Sequence, residues 1–415
     1  MEKAGNRNVP RLLIASLLLF SLAAAREPGP GWTIYRSPHF ELLTSADPVL
    51  AEAALAHLEA VRIQLAEAEP WLAGPAARTR ILAFSSEKEF EPYRSSSQSP
   101  AYFASGPEGD LIVLGRLAKE HWPTLAHEYV HAAIRASGVK LPLWLEEGLA
   151  ELYSGRPAAR RARNPRIGPP ELLALENRPV PAGHLRSAGS GAGFYRQSRL
   201  MAHLLRHHPG YAPRWSNLLL TASAGNVFAH VQLMSGRSQE QISTDAVRFT
   251  APFPPAPAPL SARIDRLALP ESERRWTLAV ALARLGRAPE ALAHLDGLDT
   301  APAHALAAKL LLRQNRDAAA PHLHRAFELG TTDEYAIWQL VCLEQDAPSS
   351  PRLLPALERL IHLNPRRDDA RMILASHYLS RGQFDQARRH LHDVRTVPGE
   401  FAAYYERALR IIGPA

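Results

Sequence analysis

With one cysteine in 415 residues, Cys342, the chain can form no intramolecular disulfide, so its stability must come from packed cores. The apolar run near the amino terminus, Leu12 to Leu22, has eleven residues, whereas a membrane-spanning helix needs about 20. A basic stripe with interleaved aromatics is also missing, and a net charge of +7 without such a stripe argues against nucleic acid as a partner. What remains is a globular chain long enough for two domains with cores of their own. Cys342 itself is expected on the buried face of a helix, beside Leu340 and Leu343.

The amino terminus has the layout of a cleaved secretory signal over residues 1–25. Lys3, Arg7 and Arg11 precede the apolar run, and Ala23-Ala24-Ala25 follow it as a small-residue cleavage site. The expectation is an exported protein, periplasmic or extracellular, with no integral membrane segment after cleavage. No cysteine lies near Ala25, so no lipid anchor is indicated; a retained, slightly longer anchor is the alternative. Loss of three cations and Glu2 lowers the net charge to +5.

Two neighbouring segments carry the chemistry. His127-Glu128-Tyr129-Val130-His131 has the HExxH pattern, which on a helix puts both imidazoles on one face, able to reach a single tetrahedral zinc ion. Glu128 then leans toward the water that such a metal activates. Pro123 suits the first turn of this helix and Gly138 its stop. A catalytic zinc takes a third protein ligand and keeps one position open. Pro142 begins a second helical stretch, Trp144-Leu145-Glu146-Glu147-Gly148-Leu149-Ala150-Glu151, eleven residues after His131, and Glu147 is the candidate ligand. Glu146 stands about 100° away around the helix, so only one of the two can point at the ion. Glu151, one turn beyond Glu147, is expected to accept the free N–H of a zinc-bound histidine and fix its tautomer.

HExxH followed by W-L-x-E-G-x-A resembles the gluzincin clan of metallopeptidases, specifically its compact peptidase MA-like branch, over roughly residues 33 to 240. The resemblance implies that the acid before the glycine, Glu147, is the third ligand to one Zn2+ per chain. It also implies an α+β thermolysin-like domain, a small twisted sheet followed by helices. In that branch a helix opens with Y-x-Q-S, which Tyr195-Arg196-Gln197-Ser198 matches. Tyr195 is then the expected oxyanion donor, a role worth on the order of 10² to 10³ in rate when one such donor is removed. The alternative is a half-buried helix tyrosine bonded to a carbonyl. The chain departs from the gluzincin aminopeptidases in having only fifteen residues between His131 and Glu147. It also lacks their G-x-M-E-N stretch between Ala101 and Leu114. That absence favours an endopeptidase over an exopeptidase.

The expected function is therefore hydrolysis of a peptide or protein substrate, with Glu128 as general base. A different class is an exported repeat scaffold with a vestigial zinc site, binding protein partners without cutting them. Other histidines read as structural or surface residues: His203 and His207 lack an accompanying acid, Arg206-His207-His208 reads as a solvated helix terminus, and His322, His324, His390 and His392 lie on opposing sides of helices. Arg156, Arg160, Arg161, Arg163 and Arg166 read as a solvated loop.

The expected organisation is a catalytic domain over residues 26–250, a Pro-rich linker over 251–262 and a repeat domain over 263–415. Trp32 to Thr44 alternates as an initial strand, residues 46 to 68 have helical spacing, and Arg80 to Phe84 and Leu111 to Leu114 are short strands. Substrate would pair with Leu111 to Leu114 or with Tyr102 to Ser105. Ala251 to Pro259 favours an extended backbone. Beyond it, Leu285-Gly286-Arg287 with Ala291 recurs as Arg381-Gly382-Gln383 with Ala387, Asn315 with Ala320 keeps the offset, and Leu363-Asn364-Pro365 ends a unit. Units of about 34 residues resemble tetratricopeptide repeats, an all-α helical solenoid of three to four hairpins. Such an array offers a groove to a protein partner or caps the catalytic domain.

Overall fold

The computed structural model describes residues 31–74, 77–97, 99–156, 191–222, 227–345, 350–397, 399 and 402–412. The expected signal peptide lies outside them, as do Arg160, Arg161, Arg163 and Arg166. The chain is mostly helical with one small mixed sheet. Its amino-terminal part runs β1 (Thr33–Arg36), β2 (Phe40–Thr44), α1 (Pro48–Ala68), β3 (Thr79–Phe84), α2 (Glu87–Phe90), β4 (Ala101–Ala104), β5 (Leu111–Arg116), α3 (Trp122–Ser137), α4 (Leu143–Tyr153), α5 (Gly191–His207), α6 (Trp215–Ala222), α7 (Val227–Ser235) and α8 (Gln239–Arg248). Strand β6 (Asp265–Ala268) follows, then helices α9 (Glu271–Arg284), α10 (Ala288–Leu295), α11 (Ala301–Leu312), α12 (Arg316–Glu328), α13 (Glu334–Glu344), α14 (Leu353–Leu363), α15 (Asp368–Ser380), α16 (Phe384–His392) and α17 (Ala402–Ile412).

The sheet has the order β4-β5-β3-β2-β1-β6. β2, β3 and β5 are parallel neighbours, and β4, β1 and β6 pair antiparallel. The expected strand over Trp32 to Thr44 is in fact a hairpin. Pro38 cannot donate to a ladder and interrupts it, and the buried Glu59 of α1 holds the turn by accepting from Ser37 Oγ at 2.6 Å and from the His39 N–H at 2.9 Å. On one face of the sheet Tyr35, Leu42, Ile81, Ile112 and Leu114 pack against α1, α3, α4 and α5. The other face, with Ile34, Leu43, Leu82, Tyr102 and Val113, is covered by Leu278, Leu282, Leu295 and Leu306 of the carboxy-terminal helices.

That second face alters the expected boundary. The cut at residue 263 precedes β6, which pairs with β1 from Thr33↔Ala268 to Arg36↔Asp265. The sheet thus takes its last strand, and the cover of one face, from beyond the Pro-rich segment. Residues 251–262 form a packed strap: Gln64 Nε2 donates to the Pro255 carbonyl at 2.9 Å, the Leu260 N–H to Ala56 at 3.4 Å, and Arg199 lies 4.1 Å over the Phe253 ring. Past β6, helices α9 to α16 form four antiparallel hairpins, and α17 packs on the last. Gly286 and Gly382 turn two of them at φ +74° and +70°, a backbone region that excludes most other residues. Cys342 is only half-buried, not on the buried face expected. Among the described residues no helix is long and apolar enough to cross a membrane.

Candidate metal centre

Helix α3 is shaped as its sequence demands. Pro123 occupies the first turn, where no intrahelical donor is needed, and Gly138 closes the helix in the left-handed region. All residues from Leu125 to Ile134 are buried, so the HExxH segment sits in the core with little rotational freedom. Helix α4 crosses it, and Trp144 to Tyr153 are buried without interruption.

The crossing brings His127, His131 and Glu147 to one point. His127 Nε2 and His131 Nε2 are 3.2 Å apart, and Glu147 Oε2 is 3.2 Å from the first and 3.5 Å from the second. Ligands held about 2.0–2.1 Å from a tetrahedral zinc stand roughly 3.3 Å from one another, so these atoms have the spacing of one face of such a site. Both Glu147 oxygens are buried and neither receives a well-aligned hydrogen bond. A carboxylate left in that state is costly unless a cation completes it, so the donor set fits a metal ion.

Electrostatics agree with the geometry. Burial pushes Glu147 upward, but the charge of His131 and contacts with both imidazoles outweigh it and hold the carboxyl well below the ordinary range. Burial pulls His127 down, and the contacts with Glu147 and Glu151 overcome it, leaving the imidazole raised. Glu128 is raised because burial exceeds the opposing influence of the two histidines.

Each imidazole has a carboxylate behind it. Glu151 Oε1 is 3.2 Å from His127 Nδ1, the place expected for it, and is itself held by Arg156, which also donates to Thr124 Oγ1 at 3.1 Å. Arg156 therefore faces inward, unlike the solvated arginine expected. Glu146 has a role that sequence reasoning missed: its Oε1 is 3.2 Å from His131 Nδ1. Its place beside Glu147 is local and readable, but the ring it meets depends on how α3 and α4 cross. In Glu146→Gln, zinc affinity is expected to fall about 10- to 100-fold, measured by competition with a chromophoric chelator.

Tyr195 comes from α5, and its half-buried ring stands 6.1 Å from the His127 ring in an edge-on arrangement. Gly148 makes that approach possible. A Cβ there would lie 2.4 Å from the Ser198 carbonyl oxygen, so α4 and α5 touch backbone to backbone. Gly148→Ala is expected to destabilise the protein by about 1–3 kcal/mol through overpacking, read from the urea midpoint. Glu128, with its side chain inside, lies against the edge strand, where the Phe103 backbone N–H faces its carboxylate and slightly opposes the upward shift that burial causes. β4 is an edge strand, whereas β5 is paired on both sides. Gly115 N–H donates to the Pro100 carbonyl, and alternation along the ladder turns the backbone groups of Ala101 and Phe103 to the side of β4 without a neighbouring strand.

Among the described residues, the other histidines stay apart from this centre. His203 is buried between Phe249 and Phe253, and burial first, then His207, pushes its pKa down to about 4. His324 pairs with Glu344 at 2.7 Å, and His390 stacks on Tyr378. Arg206, expected in solvent, reaches inward to the buried Glu69.

The chain matches no protein-family profile, and no curated protein matches it. Among solved structures, that of MamA is similar over 34% of this chain and 81% of its own, at 18% identity and a TM-score of 0.24. A second MamA protein structure is similar over 35% and 78%, at 19% identity and a TM-score of 0.24. Likeness at that level carries no argument about this chain.

Proposed function

We propose that this protein is a zinc-dependent peptidase of the gluzincin type, with a thermolysin-like core fused to a tetratricopeptide-like array. The observation that carries the reading is the buried triangle of His127 Nε2, His131 Nε2 and Glu147 Oε2, with sides of 3.2, 3.2 and 3.5 Å. Zinc held by these three residues would supply a Lewis acid that polarises a carbonyl and acidifies a water. Glu128 takes the proton of the attacking water and delivers it to the leaving amine. Burial raises its affinity for a proton. Tyr195, beside His127, donates to the oxygen that gains negative charge. An extended peptide adds to the unpaired side of β4, through the backbone groups of Ala101 and the carbonyl of Phe103. This favours β4 over β5 among the two strands with suitable sequence, and a strand that binds backbone suits an endopeptidase.

The amino-terminal pattern of Lys3, Arg7, Arg11, Leu12 to Leu22 and Ala25 supports export, with the chemistry taking place outside the cytoplasm. The test combines zinc content with cleavage of an unfolded casein-like protein. One zinc per chain with cleavage abolished by a chelator and restored by zinc supports the proposal. Zinc without any cleavage would leave the scaffold reading.

A further inference from the structure

The turn between β4 and β5 is gripped by the helical array. Glu108 in that turn has a side chain only 9% exposed and pairs with Arg284 of α9 at 2.6 Å and with Lys309 of α11 at 2.9 Å. Lys309 also pairs with Asp333, at the start of α13. Arg284 lies so close over Gly106 that a Cβ there would meet its guanidinium at 1.5 Å, and its Nη2 is 3.5 Å from the Gly109 carbonyl. Two helices beyond the strap, α9 and α11, thus hold one four-residue hairpin strand from its far end, and Asp333 at the start of α13 braces Lys309. The near side of that strand packs on α3, where the Phe103 N–H faces Glu128.

We infer that Arg284 and Lys309 are positioning residues for the proposed hydrolysis: by clamping Glu108 they fix β4, and with it the Phe103 N–H that orients the Glu128 carboxylate. This rests on the reading of Glu128 as the base. The array then does more than cap the sheet, because a charged contact on α9 and α11 sets the geometry of a proton-transfer group on α3. β4 has one neighbour in the sheet, so the clamp replaces the restraint that a second strand would give.

The test uses the full-length zinc-loaded protein and two variants, Glu108→Gln and Lys309→Met. Glu108→Gln removes the shared charge, and Lys309→Met loosens the clamp from the helical side while Arg284 still pairs with Glu108. Below the unfolding temperature, zinc stoichiometry is expected to stay at the wild-type level in both. The kcat per zinc-loaded molecule is expected to fall about tenfold, and amide hydrogen exchange across Ala101–Ala104 to accelerate about tenfold. Loss of global stability alone would move neither kcat in the folded, metal-loaded molecules nor exchange confined to β4. An unchanged kcat in an active wild-type background overturns the inference even if exchange rises. Should the wild-type protein bind zinc but cleave nothing, the reading of Glu128 falls separately. Exchange then decides alone whether the array holds β4, and unchanged exchange at Phe103 overturns the clamp.

Discussion

Replacing Glu128 with glutamine is expected to lower kcat by about 10²- to 10⁴-fold, with one zinc per chain retained. The amide keeps the shape of the side chain and can still accept from the Phe103 N–H through its oxygen, but it cannot take a proton from water. The residues proposed to hold the metal, His127, His131 and Glu147, do not change, so atomic absorption and circular dichroism should match the wild type. His131→Ala is the informative contrast. It removes one side of the 3.2 Å imidazole pair and leaves Glu146 without its ring, so both zinc and cleavage are expected to be lost. Near wild-type turnover in a metal-replete Glu128→Gln protein would sink the assignment.

The second large effect concerns stability and is expected far from the chemistry. Glu69, 1% exposed at the end of α1, accepts from Trp71 Nε1 at 2.8 Å, Trp215 Nε1 at 2.9 Å and Tyr153 Oη at 2.9 Å, and it pairs with Arg206. One carboxylate therefore joins α1, α4, α5 and α6. Glu69→Ala is expected to destabilise the protein by about 3–5 kcal/mol, because it strands the partly buried Arg206 without its counter-charge. The two indoles and the phenol lose their acceptor as well. Guanidinium unfolding followed by tryptophan fluorescence measures this, since Trp71 and Trp215 both report on the site. A change below about 1 kcal/mol would mean that water replaces the carboxylate and the hub is dispensable.

The sequence made the candidate metal centre legible because its information is local. His127 and His131 are fixed relative to each other by helical period alone, and Glu147 with Glu151 likewise on a second helix. Glu146 escaped because its contact with His131 depends on how α3 and α4 cross, a quantity with no period to read. Glu69 escaped for a related reason: its donors come from Trp71, Tyr153, Arg206 and Trp215, scattered along the chain. In the fold, the helix over Pro48–Ala68 was announced by its apolar spacing and begins at an Asp47 cap. The split of Trp32 to Thr44 into two strands was missed, although Pro38, which cannot donate to a ladder, marks it. β6 was not, since all four of its residues are exposed and no apolar alternation marks them. Its pairing with β1 joins Ile34 to Leu267, a contact that no local pattern encodes.

That pairing has a consequence for biosynthesis. A ribosome makes β1 first and β6 more than two hundred residues later, so the sheet stays unfinished while α1 to α8 are already emerging. Until α9 and its successors arrive, Ile34, Leu43, Leu82 and Val113 lack the cover of Leu278, Leu282, Leu295 and Leu306 and have only amino-terminal neighbours such as Phe90 and Tyr93. The nascent amino-terminal half is thus a sticky intermediate, and a chain stalled or trimmed near residue 250 should aggregate instead of surviving as a free-standing enzyme.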